Sequence, residues 1–256
     1  MRRGFVRVLW GDFLTEDNEA FKKTHSEYGI EFDPENKMLV RRKKIETDIR
    51  KCMEQEFTVP FTSYTFGEAN HRGLLARGIS SVLLHSEPYK YHPTRGIYKH
   101  KLEAYVRLMD DFDEVVFLDW DTYLIKPLPD DFWEVLNEKD VFQASLLRYR
   151  TPRISHRDGL QNKTIPAGAF VYMRGKEVAV RLWELNKVCP NKWSCETAFA
   201  FLTDEITDGW KGLEEYWKRF EPEFYTGKRS PFKAHKGYRK EKICFRNGFS
   251  YEKGET

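Results

Sequence analysis

The sequence predicts an α/β fold, a sheet flanked by helices. Three observations carry this. Short apolar runs of strand length alternate with amphipathic helical segments along most of the chain. One run, Val115-Val116-Phe117-Leu118, is apolar without alternation, the pattern of a strand buried on both faces. The chain has 256 residues, 40% of them hydrophobic and 15% aromatic, enough for a real core in one large domain or two small ones.

Taken in order, residues 5–10 read as a first strand, closed by the turn pair Gly11-Asp12. Residues 15–60 are highly charged. There Arg41-Arg42-Lys43-Lys44 leads into a helix over 45–55, and the stretch reads as an insertion or an exposed helical segment. Alternation resumes with a strand over 61–66, a helix over 68–77 and a strand over 81–85. A helix over 97–109 places Leu102, Tyr105, Val106 and Met109 on one face. The buried strand 115–118 follows. Beyond Pro127 and Pro129 come a helix over 130–137 and strands over 141–147 and 169–173, separated by a basic loop. Helices over 176–187 and 194–203 precede a basic tail rich in turn residues. The strand–helix–strand order predicts right-handed crossovers.

Charge excludes little: 43 basic against 40 acidic residues leave a net +3, too even to imply nucleic acid by itself. No apolar stretch approaches the roughly 20 residues of a membrane span. Arg2 and Arg3 have no apolar segment behind them, so no signal peptide is expected and the cytoplasm is favoured. The four cysteines, Cys52, Cys189, Cys195 and Cys244, form no C-x-x-C pair and read as reduced thiols without zinc. The histidines at 25, 71, 85, 92, 100 and 156 show no ligand spacing. Arg148, Arg150, Arg153 and Arg157 read as a solvated loop.

The segment with the clearest chemistry is Asp119-Trp120-Asp121. An isolated D-x-D is most often a turn whose aspartates cap the next element. Here a buried strand precedes it and Leu124-Ile125-Lys126-Pro127-Leu128 follows, which favours a site. If the strand geometry continues, both carboxylates point to one side. They then stand at the carboxyl end of the strand, where open α/β sheets bind ligands. Paired acids repel, so the arrangement is costly unless a cation sits between them. Oxygen ligands suit Mg²⁺ or Mn²⁺, which can neutralise a diphosphate leaving group.

Further pieces surround this motif: His100-Lys101-Leu102 on the preceding helix and Lys126-Pro127-Leu128 in the following loop. Later come Pro166-Ala167-Gly168-Ala169-Phe170, Cys195-Glu196-Thr197 and His235-Lys236-Gly237-Tyr238-Arg239-Lys240. In this order, over roughly 61–240, they resemble GT-A fold glycosyltransferases. The likeness is to the glycogenin-like and galactosyltransferase-like group and its mannosyltransferase-like relatives. Trp120 is bulkier than the small residue usual at the centre of that motif.

The resemblance implies a GT-A (Rossmann-like) mixed sheet in a single domain over 1–256. Its donor-binding core lies at about 61–128, and its acceptor side and C-terminal flap at about 129–246. It implies metal ligands Asp119, Asp121 and His235, holding Mn²⁺ or, alternatively, Mg²⁺. Lys101, Asp119, Trp120, Asp121, Gly168, Gly237 and Lys240 become donor contacts, and Glu196 acts near the reacting carbon. The implied reaction moves a hexose from a nucleotide-sugar, UDP-glucose or UDP-galactose, to a saccharide or other hydroxyl acceptor, with retention. Neither nucleic acid nor a membrane span is expected.

Two other classes stay open. A nucleic-acid-binding protein would use Arg41 to Lys44 and the tail from Lys228 to Arg246, but the aromatics are not interleaved with those basic residues. A metal-dependent nucleotidyltransferase also needs paired carboxylates, usually with a third on a neighbouring strand.

Overall fold

The computed structural model describes residues 1–10, 14, 37–85, 98–124, 126–139, 141–148, 164–188, 198, 199, 202, 232–234, 242–246 and 248–252. In chain order the elements are β1 (Arg3–Leu9), α1 (Lys37–Met53), β2 (Phe61–Phe66), α2 (Glu68–Leu75), β3 (Ser81–Leu84) and α3 (Tyr98–Leu108). There follow β4 (Glu114–Leu118), β5 (Thr122–Leu124), α4 (Phe132–Lys139), β6 (Phe142–Arg148), β7 (Thr164–Arg174) and α5 (Lys176–Val188). The short strands β8 (Phe232–Ala234), β9 (Lys242–Arg246) and β10 (Gly248–Glu252) complete the set.

A six-stranded mixed sheet, ordered β3-β2-β1-β4-β7-β6, is flanked by helices. Strands β3, β2, β1 and β4 run parallel, whereas β7 is antiparallel to both β4 and β6. From β1 the chain steps outward through β2 and β3, then returns to lay β4 on the other side of β1. The strand order therefore reverses between β1 and β4, and a crevice outside their carboxyl ends is the expected ligand position in such a sheet.

Alternation in β1 divides the core into two layers. Val6 and Val8 face one way, joining Val115 and Phe117 of β4 beneath Leu102, Tyr105 and Leu108 of α3 and Ala179 and Leu182 of α5. On the other face Leu9 packs with Ile49 of α1, Leu74 of α2 and Trp120. Phe5 stacks on Phe132 of α4 with ring centroids 5.7 Å apart. All five residues of β4 are buried: Val115 to Leu118, as the unalternating apolar run predicts, and Glu114 as well. Each large apolar side chain buried there contributes about 1.5–3 kcal/mol.

The charged stretch 15–60 differs from its expectation. Helix α1 starts at Lys37 rather than 45, and it is not an exposed appendage. Asp48, Ile49 and Cys52 are buried, with Ile45 packed beside them. The apolar stripe Ile45, Ile49, Cys52 follows helical spacing, and dense surrounding charge obscures it. Cys52 is a free thiol.

Strand β7 is longer than local propensity predicts. Pro166 and Gly168 are poor strand residues, yet Thr164 to Ala167 pair with Ser145 to Arg148. The register breaks in between: Ala144 pairs with Val171, but Ser145 pairs with Ala167. Gly168, Ala169 and Phe170 fall in this irregularity, a bulge of the kind that re-aims a strand beside a site. Two small sheets, β5 with β8 and β9 with β10, lie outside the main sheet. Among the described residues no helix is long and apolar enough to cross a membrane.

Candidate functional site

Asp119 follows the last residue of β4 and so stands at the β1/β4 switch point. The expected continuation of strand geometry through Asp121 does not occur. The extended run stops at Leu118, and the Thr122 amide donates to the Asp119 carbonyl at 2.9 Å. Asp119 to Thr122 therefore form a four-residue turn, and period-two alternation cannot be carried through the motif. The Asp119 amide donates to the Ala169 carbonyl at 3.1 Å, and the Thr122 hydroxyl to the same carbonyl at 3.2 Å. Both ends of the turn are thus tied to the bulged part of β7.

Trp120 turns inward. It is 5% exposed, its indole N–H donates to the Val8 carbonyl at 3.1 Å, and its ring meets Phe61 edge-on. The ring is committed to the core on the α1 face, which leaves the two flanking aspartates at the surface of the turn. Their side chains are both of intermediate exposure.

Two buried cations hold this turn from opposite faces of the sheet. From α3, the Lys101 ammonium meets Asp119 Oδ1 at 2.6 Å and donates to the Gly168 carbonyl at 2.8 Å. It also lies 4.1 Å from the centre of the Phe117 ring. Its stem lies on the apolar core, as a snorkelling lysine would place it. Here, however, the head ends on a carboxylate rather than in solvent: the side chain is 9% exposed against 40% for Asp119.

From β1, Arg7 donates one guanidinium nitrogen, Nη1, to the Asp119 carbonyl. Nη2 donates to the Thr122 carbonyl at 2.9 Å. Its guanidinium lies 5.0 Å from the Phe61 ring centre and 5.4 Å from that of Trp120. Burial pushes the Arg7 guanidinium below its usual value, while Cys52, Tyr123, Asp119 and Asp121 push the other way. Beneath it, the Tyr123 hydroxyl donates to Asp48 at 3.1 Å, and burial raises the Tyr123 phenol well above its ordinary range.

Two acids and two cations leave this turn formally neutral. The repulsion between Asp119 and Asp121 is offset by Lys101 and Arg7, so it does not by itself demand a metal ion. Arg7 went unnoticed as a site residue in the sequence. Its signal is a lone charged residue inside the apolar run Phe5-Val6-Arg7-Val8-Leu9.

The carboxylates nevertheless fit a hard divalent cation. Asp119 uses Oδ1 for Lys101, and its Oδ2 accepts no hydrogen bond among the described residues. Asp121 adds a second carboxylate from the same turn. No group of three or more His, Cys, Asp or Glu side chains gathers for a metal among the described residues. Strand β8 runs antiparallel to β5 with Ala234 opposite Thr122. The next residue, His235, lies outside the described residues, as do Glu196, Gly237 and Lys240. Of the residues singled out from sequence, Lys101, Asp119 and Gly168 come together in contact.

At Gly168 the backbone and the Lys101 head group approach closely. A Cβ added at this position would lie 2.5 Å from the Lys101 ammonium nitrogen. Gly168→Ala should therefore push Lys101 off Asp119 and lower stability by about 1–3 kcal/mol. Urea unfolding checks this; a midpoint equal to the parent protein's would mean that the pair tolerates the added methyl.

The sequence matches no protein-family model and no curated protein.

Proposed function

We propose that this chain is a metal-dependent glycosyltransferase that moves a hexose from a UDP-sugar to a hydroxyl acceptor, with retention. The observation that carries the reading is the acidic turn Asp119-Trp120-Asp121 at the β1/β4 switch point, its two aspartates partly exposed while Trp120 is buried. A sheet ordered β3-β2-β1-β4-β7-β6 with antiparallel β7 agrees with the GT-A fold that the sequence resembles. The proximity of Ala234 to Thr122 also favours the reading, since it brings the segment leading into His235 to the residue after Asp121.

In this reading Asp119 and Asp121 hold Mn²⁺, with Mg²⁺ as the alternative, and His235 supplies a third ligand. Such an ion, held there, would neutralise the donor diphosphate and so make it a better leaving group. Lys101 fixes Asp119 in the orientation in which its Oδ2 is left for the ion. Gly168 lets the β7 backbone approach the donor sugar, while Lys240 and Gly237 contact phosphate from the tail. Trp120 contributes through its backbone, its ring being buried. Glu196 stands near the reacting carbon and stabilises it as the sugar–phosphate bond breaks. The acceptor oxygen bonds to that carbon on the same face, and its proton passes to the departing phosphate oxygen.

A panel of nucleotide-sugars incubated with Mn²⁺ in the absence of acceptor tests this. Slow release of UDP from UDP-glucose or UDP-galactose is expected. No nucleoside diphosphate released from any donor, with and without simple sugar acceptors, would sink the reading. Release from a GDP- or dTDP-sugar alone would overturn the choice of base.

A further inference from the structure

We propose that Arg7 is the positioning residue of the acidic turn, a buried cation that sets where Asp119 and Asp121 stand without meeting a ligand itself. The inference rests on the glycosyltransferase reading only for what the turn holds. Three observations carry it. Arg7 is 3% exposed and in the middle of the apolar run Phe5 to Leu9 of β1, where a charge costs several kcal/mol unless it is compensated. Among the described residues it forms no ion pair with a carboxylate, and its hydrogen bonds go to the backbone carbonyls of Asp119 and Thr122. Those two carbonyls belong to the first and last residues of the turn, so one rigid fork spans it.

The arrangement separates two jobs. Packing alone needs no charge here: methionine fills a similar length without a charge to desolvate, but it gives the two turn carbonyls no donor. Among the described residues the Arg7 Nε has no hydrogen-bond partner, a further cost with no structural return. What the guanidinium adds is orientation, because two charge-assisted bonds fix the turn carbonyls at the edge of the crevice.

Arg7→Met and Arg7→Lys variants separate these jobs, read by amide hydrogen exchange, thermal unfolding and Mn²⁺ titration. In Arg7→Met the unfolding midpoint should fall modestly, because the Asp119 and Thr122 carbonyls lose their donor. The amides of Asp119 and Thr122, bonded to Ala169 and Asp119, should exchange roughly tenfold faster or more, well beyond the change at the other core amides. Arg7→Lys keeps the charge but lacks the fork. Its turn amides should exchange at an intermediate rate, and Mn²⁺ affinity should fall roughly tenfold, as when a residue orienting a metal ligand is lost. Turn amides exchanging at the parent rate in both variants would overturn the proposal. So would acceleration shared equally by the amides of β1 and β4, which would make Arg7 a plain core residue. If Arg7→Met fails to fold, Arg7→Lys decides by the same comparison. A parent protein that binds no Mn²⁺ overturns the metal reading instead, and the exchange rates still decide the role of Arg7.

Discussion

Asp121→Asn is expected to abolish Mn²⁺-dependent UDP binding and to lower sugar transfer by at least about 100-fold, with the fold intact. The amide is the same size as the carboxylate and cannot supply a full negative charge to a cation. The turn itself survives, because it is closed by the Thr122 amide on the Asp119 carbonyl and by Arg7, none of which uses the Asp121 side chain. Asp119→Asn should behave differently. It removes a ligand and also the partner of a buried ammonium, so it should lose stability as well as activity. Calorimetric titration of UDP with and without Mn²⁺, beside thermal unfolding, separates the two. Metal-dependent UDP affinity within about threefold of the parent in Asp121→Asn would remove Asp121 from the site.

Lys101→Met should destabilise the protein in metal-free buffer by about 1–2 kcal/mol, a value reduced for the partial exposure of Asp119. The Gly168 carbonyl and Asp119 each lose a donor, while the core keeps its volume. Millimolar Mn²⁺ should then stabilise the variant more than the parent. In the parent an incoming ion shares Asp119 with the ammonium and is repelled by it; in the variant it meets a carboxylate in need of a cation. Binding to the folded state alone raises stability with ligand concentration, so the difference appears as a larger rise in unfolding temperature. An equal or smaller rise in the variant would show that Lys101 and the metal do not compete for the same charge.

The frame of this molecule was legible because its signals are local. The run Val115 to Leu118 reads as a strand buried on both faces, and Leu102, Tyr105 and Met109 repeat at helical spacing into the same core. What escaped was set by contacts distant in sequence. Nothing near Pro166 suggests a strand; its pairing with Leu146 across the β6–β7 loop makes it one. Nothing near Ile49 distinguishes a surface helix from one that packs on Leu9 and Leu74. At the site, the spacing of Asp119 and Asp121 was legible, but the turn that holds them was not. It depends on Arg7, about 110 residues earlier, and on Ala169, about 50 later. The reading of Trp120 as a donor contact rested on its place in the motif, whereas its burial follows from the space left by Phe61 and Val8.

The central position of β1 has a consequence for how the chain is made. Phe5 pairs with Phe61 on one side and with Val116 on the other. At the usual pace of synthesis, roughly 5–20 s separate the appearance of β1 from that of β4. Throughout that interval β1 has an edge without its partner, carrying Val6, Val8 and Leu9 beside an uncompensated Arg7. A charge in the middle of such a strand discourages it from adding to strands of other nascent chains. The charge that would order the finished turn is therefore also one that makes β1 a poorer template for strand addition until Asp119 and Thr122 are made.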